Sequence, residues 1–157
     1  MTPPNLHEII DAKSLAKHLE NTPFGIMLWN QKMKLVYCSE RAAAVFACLP
    51  HELLQEPCDL DEFVYKEDIE QVKTIMTAIA SGKITHNQSL NRNLTKDGTV
   101  IYCQWYNSAL KDENGNVVNI LSLFHDVSAM VETELALKKS EHQLSLAFNS
   151  AIDPMWL

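Results

Sequence analysis

The chain has 157 residues, 46% of them hydrophobic, enough to bury one substantial core and pointing to one domain with appendages rather than two. Its formal charge of -7, from 20 acidic against 13 basic residues, would repel a phosphate backbone, and Lys and Arg form no stripe interleaved with aromatics, so no nucleic acid partner is expected. No apolar run approaches the roughly 18 residues needed to cross a bilayer, and the opening MTPPNLHEII lacks the basic and apolar blocks of a secretion signal; the expectation is no membrane span and a cytoplasmic location.

From Leu6 to Leu19 the apolar residues Ile9, Ala12, Ala16 and Leu19 recur at three- and four-residue steps, with Glu8, Lys13, Lys17 and Glu20 elsewhere, which predicts an amphipathic helix. Asn21, Thr22, Pro23 and Gly25 break it. Residues 25–29 (GIMLW) and 35–39 (LVYCS) read as short strands, separated by the polar NQKMK and so forming a hairpin. ERAAAVFA is helix-prone, and Pro50 and Pro57 bracket a short irregular helical patch. Residues 68–81 repeat Ile69, Val72, Ile75, Met76 and Ile79, start with acidic residues and stop at Gly82, which predicts a helix. Three strands follow, over 85–94, 100–110 and 117–127, joined by the turn sequences KDG and KDENGN.

Short turns make the last three strands antiparallel neighbours, and the first hairpin most simply joins their sheet. The predicted fold class is α+β: a five-stranded antiparallel sheet with helices on one face, flanked by the N-terminal amphipathic helix and a C-terminal helix. Cys38, Cys48, Cys58 and Cys103 are widely separated, with no C-x-x-C pair and no nearby His, so free thiols are expected rather than a metal site or a disulfide framework.

The run NRNLTKDGTVIYCQWYNSALKDENGNVVNILSLFHDVS resembles the C-terminal half of PAS domains: a Lys-Asp-Gly turn, an aromatic strand, an Asp-x-x-Gly turn and a final Asp-Val-Ser in that order. DEFVYKEDIEQV is similar to that family's entry into its long central helix. The resemblance covers about residues 21–128. Leu15, Leu19, Met27 and Leu28 also lie at one constant offset from Leu144, Phe148, Trp156 and Leu157, so the last residues resemble the opening of a second PAS domain. The domain reading is an amphipathic helix over 1–20, a PAS domain over 21–128, a signalling linker helix over 129–150 and the start of a truncated second PAS domain over 151–157.

Alternation in IYCQWYNSA puts Cys103, Trp105 and Asn107 on one face. The resemblance implies that this face lines a cavity, joined by Asn91 and Asn93 from the preceding strand, Ser122 and Phe124 from the last, and Met76 and Ile79 from the central helix. Two readings stand together: apolar walls with a few fixed amides suit a small-molecule site, and the same residues suit plain core in which Asn bonds backbone or buried water.

The cofactor is unknown from sequence. A light-sensing flavin adduct is not expected, because neither Cys48 in FACLPHE nor Cys58 in EPCDLDE resembles the Asn-Cys-Arg-Phe-type motif. Haem is not expected, because 68–81 contains no histidine. A noncovalent flavin stays open, since Trp105 could stack on a ring system. No nucleophile elbow, P-loop or metal-binding histidine pair is present, so the fragment itself is not expected to be an enzyme.

In the last strand Leu121 and Leu123 alternate with Ser122 and Phe124, so both sheet faces are apolar there and the outer one needs a cover. The N-terminal helix could supply it, from the same chain or from a second copy, which makes a homodimer the expected assembly. Beyond Ser128, Met130, Leu137 and Leu144 repeat every seven residues, interrupted by Glu134 and Glu141, as in either a short, weak coiled coil or a solvated connector. Asp126 and Ser128 can accept bonds from the first free amides of that helix, which resembles the signal-exit motif of PAS domains. The function so implied is a sensory module that binds a small ligand and relays the signal through its C-terminal helix to a downstream diguanylate cyclase or histidine kinase; the alternative is a ligand-free dimerisation scaffold.

Overall fold

The computed structural model describes residues 1–6, 10–55 and 60–152. Helix α1 (Ala12–Glu20) is capped by Asp11, whose carboxylate accepts the Ser14 amide at 2.7 Å. Asp11 is itself extended, so it interrupts the helix expected from Leu6 onward; His7, Glu8 and Ile9 lie outside the described residues. None of the residues of α1 is buried.

Strands β1 (Gly25–Asn30) and β2 (Leu35–Cys38) form the expected hairpin. In its turn, Asn30 Oδ1 accepts the amides of Lys32 and Lys34, and Met33 adopts a left-handed φ of 60°. Ser39 ends β2 and caps α2 (Glu40–Val45): its hydroxyl oxygen accepts both the Ala42 amide at 3.1 Å and the Ile26 amide at 3.0 Å, fastening the helix start to β1. Helix α3 (Pro50–Leu54) has proline in its first turn and Glu52 accepting the Leu49 amide. Two 3₁₀ turns, Leu60–Phe63 and Lys66–Asp68, lead into α4 (Ile69–Ala80), close to the predicted helix.

Strands β3 (His86–Leu94), β4 (Val100–Lys111) and β5 (Val117–Asp126) follow the predicted limits to within a residue. Their turns need Gly98 and Gly115, both with φ above +80°. Asp112 Oδ1 holds the second turn by accepting the amides of Asn114 and Asn116. All pairings are antiparallel and the order is β2-β1-β5-β4-β3, so the last strand lies at the centre of the sheet. This is the predicted α+β arrangement.

Helices α2, α3 and α4 meet the inner face of the sheet. Phe46, Leu53 and Ile79 from the helical side join Met27, Ile120 and Phe124 from the strands in one core, each large side chain there contributing about 1.5–3 kcal/mol through burial. On the opposite face Leu28, Tyr106, Leu121 and Leu123 are half-buried and Leu90 and Leu110 are exposed.

The chain divides into two compact units, Met1–Asp126 and Val127–Leu157. The described part of the second is one helix, α5 (Ser128–Ile152), on which Met130, Leu137 and Leu144 are exposed. The expected opening of a second domain falls mainly on residues 153–157, outside the described residues. Among the described residues no helix is long and apolar enough to cross a membrane.

Candidate functional site

Cross-strand register decides which predicted residues share a face, because directly paired residues project to the same side. Asn91 pairs with Cys103, Asn93 with Ile101, Trp105 with Phe124, and Asn107 with Ser122. All these side chains therefore stand on the inner face, and between them and the helices lies a cavity of about 360 Å³, within the range of small-molecule sites. Trp105, Asn107, Asn91, Asn93, Ser122 and Met76 line it.

Cys103, Phe124 and Ile79 do not line it, although they share the same core. Phe124 is fully buried beneath Trp105, ring centroids 4.1 Å apart and planes 22° from parallel, so it supports the wall instead of forming it. Cys103 has no exposed surface, and burial, with a smaller contribution from Asp126, pushes its thiol up to about 12. A thiol so protonated is inert. One face of the Trp105 indole is thus already occupied by Phe124, which limits the stacking expected for a flavin ring to the other.

Two hydrogen-bonded groups hold the buried amides. In the first, Asn93 Oδ1 accepts from Asn91 Nδ2 at 2.9 Å and from Trp105 Nε1 at 3.2 Å, while Asn93 Nδ2 donates to the Phe63 carbonyl at 2.8 Å. In the second, Trp29 Nε1 donates to Ser122 Oγ at 3.0 Å and the Ser122 hydroxyl donates to Asn107 Oδ1 at 2.6 Å. Asn87, opposite Asn107, carries a buried Oδ1 with no partner among the described residues.

The wall opposite the sheet is tied down at one corner. Asp68 accepts from the Arg92 backbone amide at 2.7 Å and from its guanidinium at 2.6 and 3.1 Å, and the guanidinium lies 4.3 Å above the Tyr65 ring. Tyr65 N–H in turn donates to the Arg92 carbonyl at 3.0 Å. The Arg92 hydrogen bonds hold the Asp68 carboxyl below its ordinary range. Neighbours of Arg92 on β3 are the cavity residues Asn91 and Asn93, so the tie fixes the start of α4 against the strand that carries the amides. Asp61 and Lys73, both exposed, form an ion pair on the cavity wall.

Sequence reasoning did not anticipate Trp29, Met33, Asp61 or Lys73. Trp29 was legible as a strand residue, but its role follows from β1 lying beside β5, which brings it within reach of Ser122. Met33 carries a left-handed backbone that sequence favours for Gly or Asn, and its side chain lines the cavity. Asp126 ends β5 and Ser128 begins α5, with one residue between them. Of the thiols, Cys38 is buried and raised to about 11 by burial first and Cys48 second, Cys48 is half-buried, and neither forms a disulfide among the described residues; Cys58 lies outside them. Among the described residues no group of three His, Cys, Asp or Glu side chains could hold a metal ion.

Comparison with protein families finds the PAS fold, matched over residues 19–132. The chain belongs to the PAS fold family. Its structural neighbours include a sensory box histidine kinase/response regulator from Burkholderia thailandensis E264 (22% identity, TM-score 0.66, covering 83% of this chain and 97% of that one). An RNA-binding Light-Oxygen-Voltage receptor is similar over 90% of this chain and 41% of its own (21% identity, TM-score 0.71). The N-terminal domain of a diguanylate cyclase with PAS/PAC sensor from Marinobacter aquaeolei matches at 19% identity and TM-score 0.60, covering 68% of this chain and 97% of that one. At these identities the likeness is one of fold. Among curated proteins none matches.

Proposed function

We propose that this PAS domain is a cytoplasmic sensory module that holds a small molecule in the 360 Å³ cavity and relays its presence through α5 to a downstream effector, a diguanylate cyclase or a histidine kinase. The observation that carries this reading is the cavity itself: largely apolar walls enclose amides that are more than nine-tenths buried and positioned by two indole N–H groups, Trp105 directly and Trp29 through Ser122. Burying an amide without full pairing costs about 1–3 kcal/mol, so plain core would favour aliphatic side chains at these positions. β5 supplies Ser122 to the cavity and runs, after one residue, into α5. A ligand that prefers one arrangement of β5 would bias the helix that follows it. Asp126 and Ser128 serve this relay by fixing the exit direction of the helix, so Asp126→Ala in the full-length protein uncouples output while the domain stays folded.

Mass spectrometry of gently purified protein, with Asn93→Leu and Asn107→Leu alongside, tests ligand binding. A retained small molecule lost in both variants is the expected result; an empty cavity with more stable variants removes the reading. A visible absorption spectrum reports a bound flavin. The exposed Met130, Leu137 and Leu144, and the apolar outer sheet face, favour a second reading, a homodimeric scaffold without ligand. Sedimentation separates the two: a ligand-dependent change of state favours sensing, a constitutive dimer favours scaffolding.

A further inference from the structure

The hydrogen bonds that start from the two indole donors set the polarity of the cavity. A Trp ring nitrogen can only donate, and a Ser hydroxyl has one hydrogen. Trp29 donates to Ser122, which leaves the Ser122 hydrogen available, and the 2.6 Å contact with Asn107 has the length of an O–H···O bond, so the hydroxyl donates to Asn107 Oδ1 and Asn107 presents its Nδ2 elsewhere. Because Trp105 donates to Asn93, that oxygen is fixed as the acceptor and Asn91 must offer its Nδ2 to it, leaving Asn91 Oδ1. Asn91 Oδ1 and Asn107 Nδ2 have no hydrogen-bond partner among the described residues, and both residues are 6% exposed and line the cavity. Asn107 Nδ2 carries two hydrogens, so satisfying the buried Oδ1 of Asn87 would still leave one for a ligand.

The spacing follows from register. Asn91 lies opposite Cys103, and Asn107 is four residues further along the same strand; at about 3.3 Å per residue the two amides stand roughly 13 Å apart along the sheet. Between them the wall is mostly apolar, with Trp105, Met76 and Ile75 among its residues and Ser89, opposite Trp105, adding a hydroxyl. The charged side chains of the wall, Asp61 and Lys73, are exposed and paired with each other, so among the described residues of the wall no buried charge offsets the burial of an ionised ligand.

We propose that the cavity selects an elongated, uncharged molecule with an apolar body, carrying a hydrogen-bond donor at the end that meets Asn91 and an acceptor at the end that meets Asn107. A flavin ring, polar along one edge and methylated at the other, matches only one of these ends. This inference rests on the cavity being a ligand site.

The test is calorimetric titration of the full chain with biphenyl probes: one bearing a hydroxyl and an acetyl group at opposite ends, the two analogues lacking one group each, biphenyl itself, and the hydroxy-carboxylate. Removing either group is expected to weaken binding about tenfold, and the carboxylate to bind more weakly than the ketone. In Asn107→Leu the acetyl group stops mattering while the hydroxyl still does; in Asn91→Leu the reverse holds. Thermal melts confirm that each variant is folded, and the wild-type series decides the matter without them. Equal binding of all the neutral probes, or tighter binding of the carboxylate, overturns the polarity and leaves the ligand site standing. If no biphenyl binds at all, the ligand site and the polarity fail together.

Discussion

Replacing Gly25 by alanine probes the tightest approach in the core. The backbone there is ordinary strand, so alanine brings no conformational strain, yet its Cβ would lie 2.7 and 2.8 Å from two carbons of the Phe124 ring and 2.9 Å from the Ala42 Cα. Neither neighbour can give way cheaply. Phe124 is fully buried between Trp105 and Phe46, and Ala42 is helix backbone held by the Ser39 cap. Overpacking of this kind costs about 1–3 kcal/mol, which for a chain of this size lowers the Tm by about 2–12 °C. Urea unfolding should show a lower midpoint with an unchanged slope. Phe124→Leu, destabilising alone, should absorb part but not all of the Gly25→Ala cost, because the contact with Ala42 remains. A Gly25→Ala protein as stable as the parent, or identical costs in both backgrounds, would show that the ring does not bear on Gly25 and that the stack beneath Trp105 is loose.

Three further outcomes are expected. Asp68→Asn lowers the Tm at neutral pH; since the folded carboxyl titrates below its ordinary value, the stabilisation is present above the unfolded pKa and is lost as the pH falls through the folded one, so the difference between the two proteins should close in acid melts. Ala47 is exposed with a φ of 58°, and Ala47→Gly should stabilise the protein by about 0.5–1 kcal/mol, the left-handed penalty less the added freedom of the unfolded chain, seen as a higher urea midpoint. N-ethylmaleimide mapping of the native protein at pH 8 should leave Cys38 and Cys103 unlabelled, their thiols being buried and raised to about 11 and about 12, until denaturant is added; labelling of either before unfolding would contradict the packing around it.

The strand half of the fold was readable because local signals agree there. Asp97-Gly98 and Asn114-Gly115 fix two hairpins, and a period of two then assigns Asn91, Asn93, Trp105, Asn107 and Ser122 to one face. Depth within that face was not readable. Trp105 lines the cavity and Phe124 lies behind it because of how two rings stack, which depends on the pairing of β4 with β5 and on α2 pressing from the other side. The run from Leu6 to Leu19 has helical periodicity throughout, but a single competing cap at Asp11 resets where α1 begins. Trp29 was missed because its partner, Ser122, is supplied by a strand 93 residues later.

The place of β5 also sets an order of events during synthesis. On one side Met27 through Trp29 pair with β2, made almost at once, and on the other Gly25 through Asn30 pair with residues 119–124. At roughly 5–20 residues per second, the ribosome leaves the first hairpin waiting about 5–20 s with an open apolar edge before the strand that completes it emerges. A nascent chain halted anywhere before Asn119 would keep that edge available to a neighbouring polypeptide, so translation speed across the middle of the message bears directly on how much of this protein escapes aggregation.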